Sequence, residues 1–190
     1  MRFAVAMICC ILPLGAGQMP SDPKEAAYPA LDELEDKGMK ELILALRENG
    51  GGDLHQTARS LGLFVPPATA VVAFRERDNP EESLKTNDRQ HRNREYPIAV
   101  LIDRNSASAS ELTAGSLYDL KRATLIGEKS YEKGSVQNIV PMGKGKALRL
   151  TIGTYHIPSG NTPRLKGIEP NIHIEFNAAD RNFFDQAAHP

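Results

Sequence analysis

Runs of consecutive apolar residues, each closed by charge, glycine or proline, organise the chain. Leu42–Leu46 (LILAL), Thr69–Phe74 (TAVVAF) and Ile98–Ile102 (IAVLI) are of this kind. Such short runs between turn residues predict strands buried on both faces, and Ile98–Ile102 carries the strongest signal. Further strands are predicted at Ala123–Ile126, Val136–Val140, Ala147–Tyr155 and Ile172–Phe176. Helical patterning lies between them. Leu31 and Leu34 stand three apart among charges in Ala30–Lys40, and Leu54–Phe64 can run as a helix until Pro66 and Pro67 stop it. A third helix follows Asn105–Glu111 and reaches about Leu120. Asn49-Gly50-Gly51-Gly52-Asp53 forces a sharp loop, and Arg75–Glu95, dense in charge and without a period, predicts an exposed excursion. Strands alternating with helices predict an α/β sheet with helices on its faces.

Composition narrows the function classes. The chain has 190 residues, 41% hydrophobic and 25% charged, which suits one globular domain and excludes a mainly disordered chain. With 23 Lys+Arg against 24 Asp+Glu, no global basic field draws it to nucleic acid or anionic lipid, and 6% aromatics without tryptophan weaken any base-stacking platform. Met1–Gly17 reads MRFAVAMICCILPLGAG: one positive charge, an apolar run, then small residues. That is the order of a secretory signal peptide, too short to span a bilayer comfortably, although a buried N-terminal strand or helix is the competing reading. Both cysteines, Cys9 and Cys10, fall inside it, so cleavage leaves a mature chain without thiols, without an integral membrane segment, and placed in the periplasm or outside the cell. Residues 18–40 then read as a linker and short helix, 41–177 as the core and 178–190 as a tail.

Two segments could carry chemistry. Ser106, Ser108 and Ser110 alternate with alanines between a buried strand and a helix start, where unpaired backbone N–H groups and the positive dipole end suit an oxyanion. Helix capping by serine, with Glu111 in the first turn, explains the same pattern. Lys133-Gly134 lies between two predicted strands; lysine acts as a base only where its charged form is disfavoured, and it is otherwise a solvated surface charge. The five histidines show no metal-binding spacing, no serine sits in a GxSxG elbow, and the glycine loop is not a phosphate loop.

Taken in order, LILALRENGGGDL (42–54), PIAVLIDRNSASASELTAGSLYDLKRATLIGEKSYEKGSVQ (97–137), GKALRLTIGTYHIPSG (145–160) and KGIEPNIHIE (166–175) resemble the carboxyl-terminal processing peptidases, or tail-specific proteases. The family motifs are close to L-D-L-R-x-N-P-G-G, S-A-S-A-S-E and G-K-G-x-V-Q. The resemblance implies a crotonase/ClpP-like α/β protease core, a mixed sheet with flanking helices, incomplete here on its N-terminal side. It also implies a serine endopeptidase acting on unfolded or C-terminally tagged proteins through a Ser–Lys dyad, with neither metal nor cofactor. Ser108 falls on the nucleophile, Lys133 on the general base and Gln137 on the glutamine that supports the lysine. The backbone N–H groups of Gly51 and Ala109 fall on the oxyanion hole, while Glu111 and Asp119 match acidic positions of an orienting or structural kind.

Three departures set this chain apart from the motifs. Gly50 stands where the family has proline, and Glu132 replaces the glycine before the lysine, a strained choice if φ is positive there. A Glu132 carboxylate beside Lys133 would also favour the ammonium form. Nothing resembles the PDZ domain that family members carry. These departures support two alternatives to a self-sufficient peptidase: a catalytically weak peptide-binding relative, or a subunit completed by a partner or by a second copy.

Overall fold

A computed structural model describes residues 3–6, 31–77, 79, 81–87, 93–143 and 145–175. Within them the fold is mixed α/β and built on two sheets. The first has five parallel strands: β1 (Phe3–Ala6), β2 (Glu41–Ala45), β5 (Ile98–Ile102), β6 (Thr124–Gly127) and β9 (Ile172–His173), adjacent in that order. The second is antiparallel, in the order β4 (Glu82–Lys85), β3 (Ala70–Glu76), β8 (Lys146–His156), β7 (Ser135–Gly143). Helical residues 31–36 form α1, Leu54–Leu61 form α2 and Ala109–Asp119 form α3.

Two of the three apolar runs occupy the parallel sheet as β2 and β5, and the third, Thr69–Phe74, enters β3 of the antiparallel sheet. In β2 and β5, Leu42 pairs with Ile98 and Leu44 with Val100, all buried. Helix α2 starts at Asp53, whose side chain accepts the Gln56 N–H at 2.9 Å, and ends at Gly62, short of the two prolines. Every residue of α3 from Ala109 to Leu117 is buried. A helix covered all round needs small side chains, and α3 has them: the Ser116 hydroxyl reaches the Val71 carbonyl at 2.6 Å, and a Cβ on Gly115 would stand 2.9 Å from Ile157. Helix α3 thus packs directly against β3 of the second sheet, close enough to need glycine and serine.

Two sequence expectations change. The excursion at 75–95 contains β4, paired with β3, and Arg94 within it is 6% exposed. Its guanidinium meets Asp32 at 3.0 Å and Glu35 at 2.6 Å, and so ties the excursion to α1. The single predicted sheet is in fact two. Phe3–Ala6, read above as part of a leader, pairs in parallel with Glu41–Leu44. The rest of Met1–Gly17, the linker up to residue 30 and the tail 178–190 lie outside the described residues. No helix among the described residues is long and apolar enough to cross a membrane.

Candidate active site

The carboxyl ends of β2 and β5, adjacent parallel strands, deliver the glycine loop and the serine segment to one place. Open parallel sheets commonly present their sites at that end. Asp103 directly follows β5 and is buried. Its Oδ1 accepts the N–H groups of Glu48 at 3.1 Å, Asn105 at 3.0 Å and Ser106 at 3.0 Å. One carboxylate therefore fastens the end of β2 to the turn after β5. Ser106 directs its hydroxyl to the Leu46 carbonyl at 2.8 Å, and Ser110 directs its own to Asn49 Oδ1 at 2.6 Å. These two serines are structural.

Ser108 differs from both. It is the residue before α3, only partly buried, with φ 57° and ψ −118°. A non-glycine residue held there stores strain on the order of 1–3 kcal/mol, typical of a sharp strand-to-helix elbow that presents a side chain. Its N–H donates to Glu111 Oε2 at 2.7 Å. The capping interpretation therefore holds for Glu111, which returns a bond to the residue that opens the helix.

Glu111 is fully buried and accepts three further bonds. Lys133 N–H donates to Oε2 at 2.8 Å, while Ser130 Oγ–H at 2.6 Å and Glu132 N–H at 2.8 Å donate to Oε1. No cation lies within ion-pair distance of it among the described residues, and these four hydrogen bonds satisfy the buried carboxyl group. Because one oxygen holds both the Ser108 and the Lys133 amides, those two nitrogens can be no farther apart than the two bonds laid end to end. The structure thus brings together the backbones of both residues that the motifs singled out.

Their side chains are less closely tied. Lys133 is exposed, and Gln137 stands exposed on β7 opposite Thr151. Glu132 takes φ 80°, the positive value that disfavours glutamate. Its carboxylate, however, pairs with Lys129 at 3.0 Å and not with Lys133. Asp119 closes α3 at the end away from Ser108, roughly 15 Å along the axis at 1.5 Å per residue. There it accepts the Ser159 N–H at 2.8 Å and fixes a loop remote from the nucleophile position.

Gly51 lies against the serine segment. With φ 102°, a Cβ on it would fall 2.6 Å from Ser108 Cβ, 2.7 Å from Ala107 O and 2.8 Å from Ala109 N. Ala109 is the first helical residue, so its N–H has no carbonyl within the helix. The Gly51 N–H is engaged by Asn49 Oδ1 at 3.2 Å. Asn49, which the sequence pattern did not single out, also accepts the Ala107 N–H at 2.9 Å through its carbonyl, and so sets the distance between the two loops. Its signal was its place at the head of a triple-glycine turn. Ser130, also missed, gave no signal in the sequence. At the amino ends of β5 and β6, on the opposite side of the sheet, an open depression of about 370 Å³ is lined by Pro97, Tyr118, Arg122 and Asn171 and shares no residue with this site.

Comparison with known proteins places these features. The model for peptidase family S41 matches residues 17–174. The carboxy-terminal processing protease CtpB of Bacillus subtilis (strain 168) is 38% identical over 146 residues, covering 77% of this chain and 30% of that protein. The carboxy-terminal-processing protease of Bartonella bacilliformis is 39% identical over 157 residues, covering 82% and 36%. Among solved structures, the photosystem II D1 C-terminal processing protease superposes with a TM-score of 0.74 at 28% identity, over 87% of this chain and 45% of that one. Mature CPAF, at 14% identity and a TM-score of 0.72, shares the fold. The chain spans about a third of the length of these curated relatives.

Proposed function

Because the chain belongs to peptidase family S41, we propose that it is a serine endopeptidase in which Ser108 attacks the scissile carbonyl and Lys133 accepts the serine proton. The observation that carries this reading is the Glu111 carboxylate, one oxygen of which holds the amides of both residues. The strained backbone at Ser108 and the first N–H of α3 support it further, since they face an attacking hydroxyl and a developing oxyanion respectively. The Ala109 and Gly51 amides form the oxyanion hole, and the second of these must leave Asn49 to do so. Gln137 supports the lysine, and the acyl-enzyme is released by water. The substrates are unfolded or C-terminally tagged proteins; the names of the relatives support action at a carboxyl terminus and nothing narrower. The protein is exported to the periplasm or the extracellular space, with Met1–Gly17 as the leader. Uncleaved, Phe3–Ala6 closes the parallel sheet, so cleavage would make β2 its edge; N-terminal sequencing of the secreted protein tests this.

The test of the activity is hydrolysis of an unfolded protein by wild type, Ser108→Ala and Lys133→Ala between about pH 6 and 10. Wild type is expected to exceed both variants by on the order of a thousandfold. A folded wild type no faster than the variants sinks the reading. The exposed Lys133 and the engaged Gly51 amide would then favour the second one, a peptide-binding relative or a subunit whose site closes only when a partner or a second copy completes the core.

A further inference from the structure

Charge is segregated along this chain in a way its net balance hides. From Lys133 to Ile168 there are six basic residues and no acidic one, while the remaining 17 basic residues face 24 acidic ones. Much of that segment is the β7–β8 arm. Strand β3 pairs with β8 only over Gly153–His156, so Lys146–Ile152 are paired with β7 alone and project beyond the sheet. A two-stranded ribbon is marginal in water by itself, and this one is apolar. Val140 is 40% exposed, Leu148 44% and Leu150 43%, and register and spacing place these three on one face. Ile139, 65% exposed, stands on the other face opposite Arg149, and Met142, at the irregular end of β7, is 66% exposed.

We propose that this arm docks the protein onto an anionic phospholipid surface, its apolar side chains entering the headgroup boundary while Lys146 and Arg149 meet lipid phosphates. A protein partner would cover one face of a ribbon, whereas a bilayer surrounds both, and both carry exposed apolar groups here. Strand addition along β7 is disfavoured by Pro141, which has no N–H to offer. Long basic side chains can lay their stems on apolar surface and raise their charge to the phosphates. The proposal goes beyond the peptidase reading and does not depend on it.

The chain has no tryptophan, so Met142→Trp supplies a single reporter at the arm. In a Ser108→Ala background, to separate binding from catalysis, its emission is expected to shift to the blue with phosphatidylglycerol vesicles and not with phosphatidylcholine vesicles. Wild type is expected to float with the former, less so as salt rises. Lys146→Glu with Arg149→Glu should weaken binding roughly twentyfold or more, and Leu150→Asp should abolish the shift without changing the circular dichroism. Failure of wild type to float with phosphatidylglycerol at low salt overturns the proposal, as does equal flotation of the arm variants. A dimer that Leu150→Asp dissociates, with no vesicle binding, also overturns it and makes the arm a subunit interface.

Discussion

Gly50 and Gly51 are neighbours with opposite demands. A Cβ on Gly50 meets nothing within 4 Å, whereas one on Gly51 collides with three atoms of the serine segment. Gly51→Ala is therefore expected to destabilise by roughly 2–4 kcal/mol and, on the proposed mechanism, to abolish peptide hydrolysis, while Gly50→Ala stays within about 1 kcal/mol of wild type. Paired denaturant titrations and activity assays check both. Glu132 offers the reverse case. Its φ of 80° suits glycine, and its ion pair with Lys129 is exposed and contributes little. Glu132→Gly is expected to stabilise by about 1 kcal/mol, net of the extra chain entropy, measured as a raised urea midpoint at constant slope. At this scale the motifs pointed to segments that the fold brings together: Gly51 lies against Ser108, the Ser108 and Lys133 amides share one Glu111 oxygen, and Glu132 has a positive φ. They said nothing of Asn49 or Ser130, whose roles depend on contacts between segments distant in sequence. The partner chosen by the Glu132 carboxylate was equally illegible, because its competing cations stand at similar sequence distances.

Elements show the same division between local pattern and tertiary choice. The apolar runs located β2 and β5 within a residue or two, because burial on both faces leaves a pattern that composition cannot blur, and the serine segment marked the start of α3. Strand β4, ESLK, was missed because an exposed edge strand has no apolar period to read. The second sheet was missed for a related reason. Its antiparallel pairing joins β3 to β8 across about eighty residues, and nothing local announces that. Between elements, Glu111 joins the start of α3 to the loop before β7. Glu111→Ala would leave the Ser108, Glu132 and Lys133 amides without their acceptor, and the expected loss is roughly 3–5 kcal/mol. Glu111→Gln keeps the shape but replaces one accepting oxygen with a donor amide facing other donors. If the proposed dyad operates, its expected signature is a lowered kcat with KM little changed, since the Ser108 and Lys133 backbones and not substrate contact are disturbed.

For the molecule as a whole, the described residues form two sheets with α3 packed against both, and the chain spans only part of its relatives' length. One ionisable group senses the docking of α1 against this body. Burial, then the hydrogen bond to Glu35, pushes the Tyr96 phenol well above its ordinary value of 10.0. A raised phenol favours the folded state while it remains neutral. Its contribution is therefore complete below about pH 10 and is lost as the pH rises beyond that toward the folded value. Stability to urea is expected to fall above about pH 10, and Tyr96→Phe should flatten that fall. A profile unchanged by Tyr96→Phe would assign the alkaline sensitivity to another group.

The bonds around Asn49 also bear on how the protein ages. Asn49-Gly50 is the dipeptide most prone to spontaneous deamidation, in which the following amide nitrogen attacks the side-chain carbonyl. Here that side chain is 5% exposed, and its oxygen is held by Ser110 and Gly51. The fold thus suppresses the reaction by immobilising the group that must rotate. When the loop opens and that attack succeeds, ammonia leaves and the cyclic imide is hydrolysed to isoaspartate or aspartate. Either product at position 49 in stored samples records past opening of the glycine loop and leaves a negative charge beside Ser108.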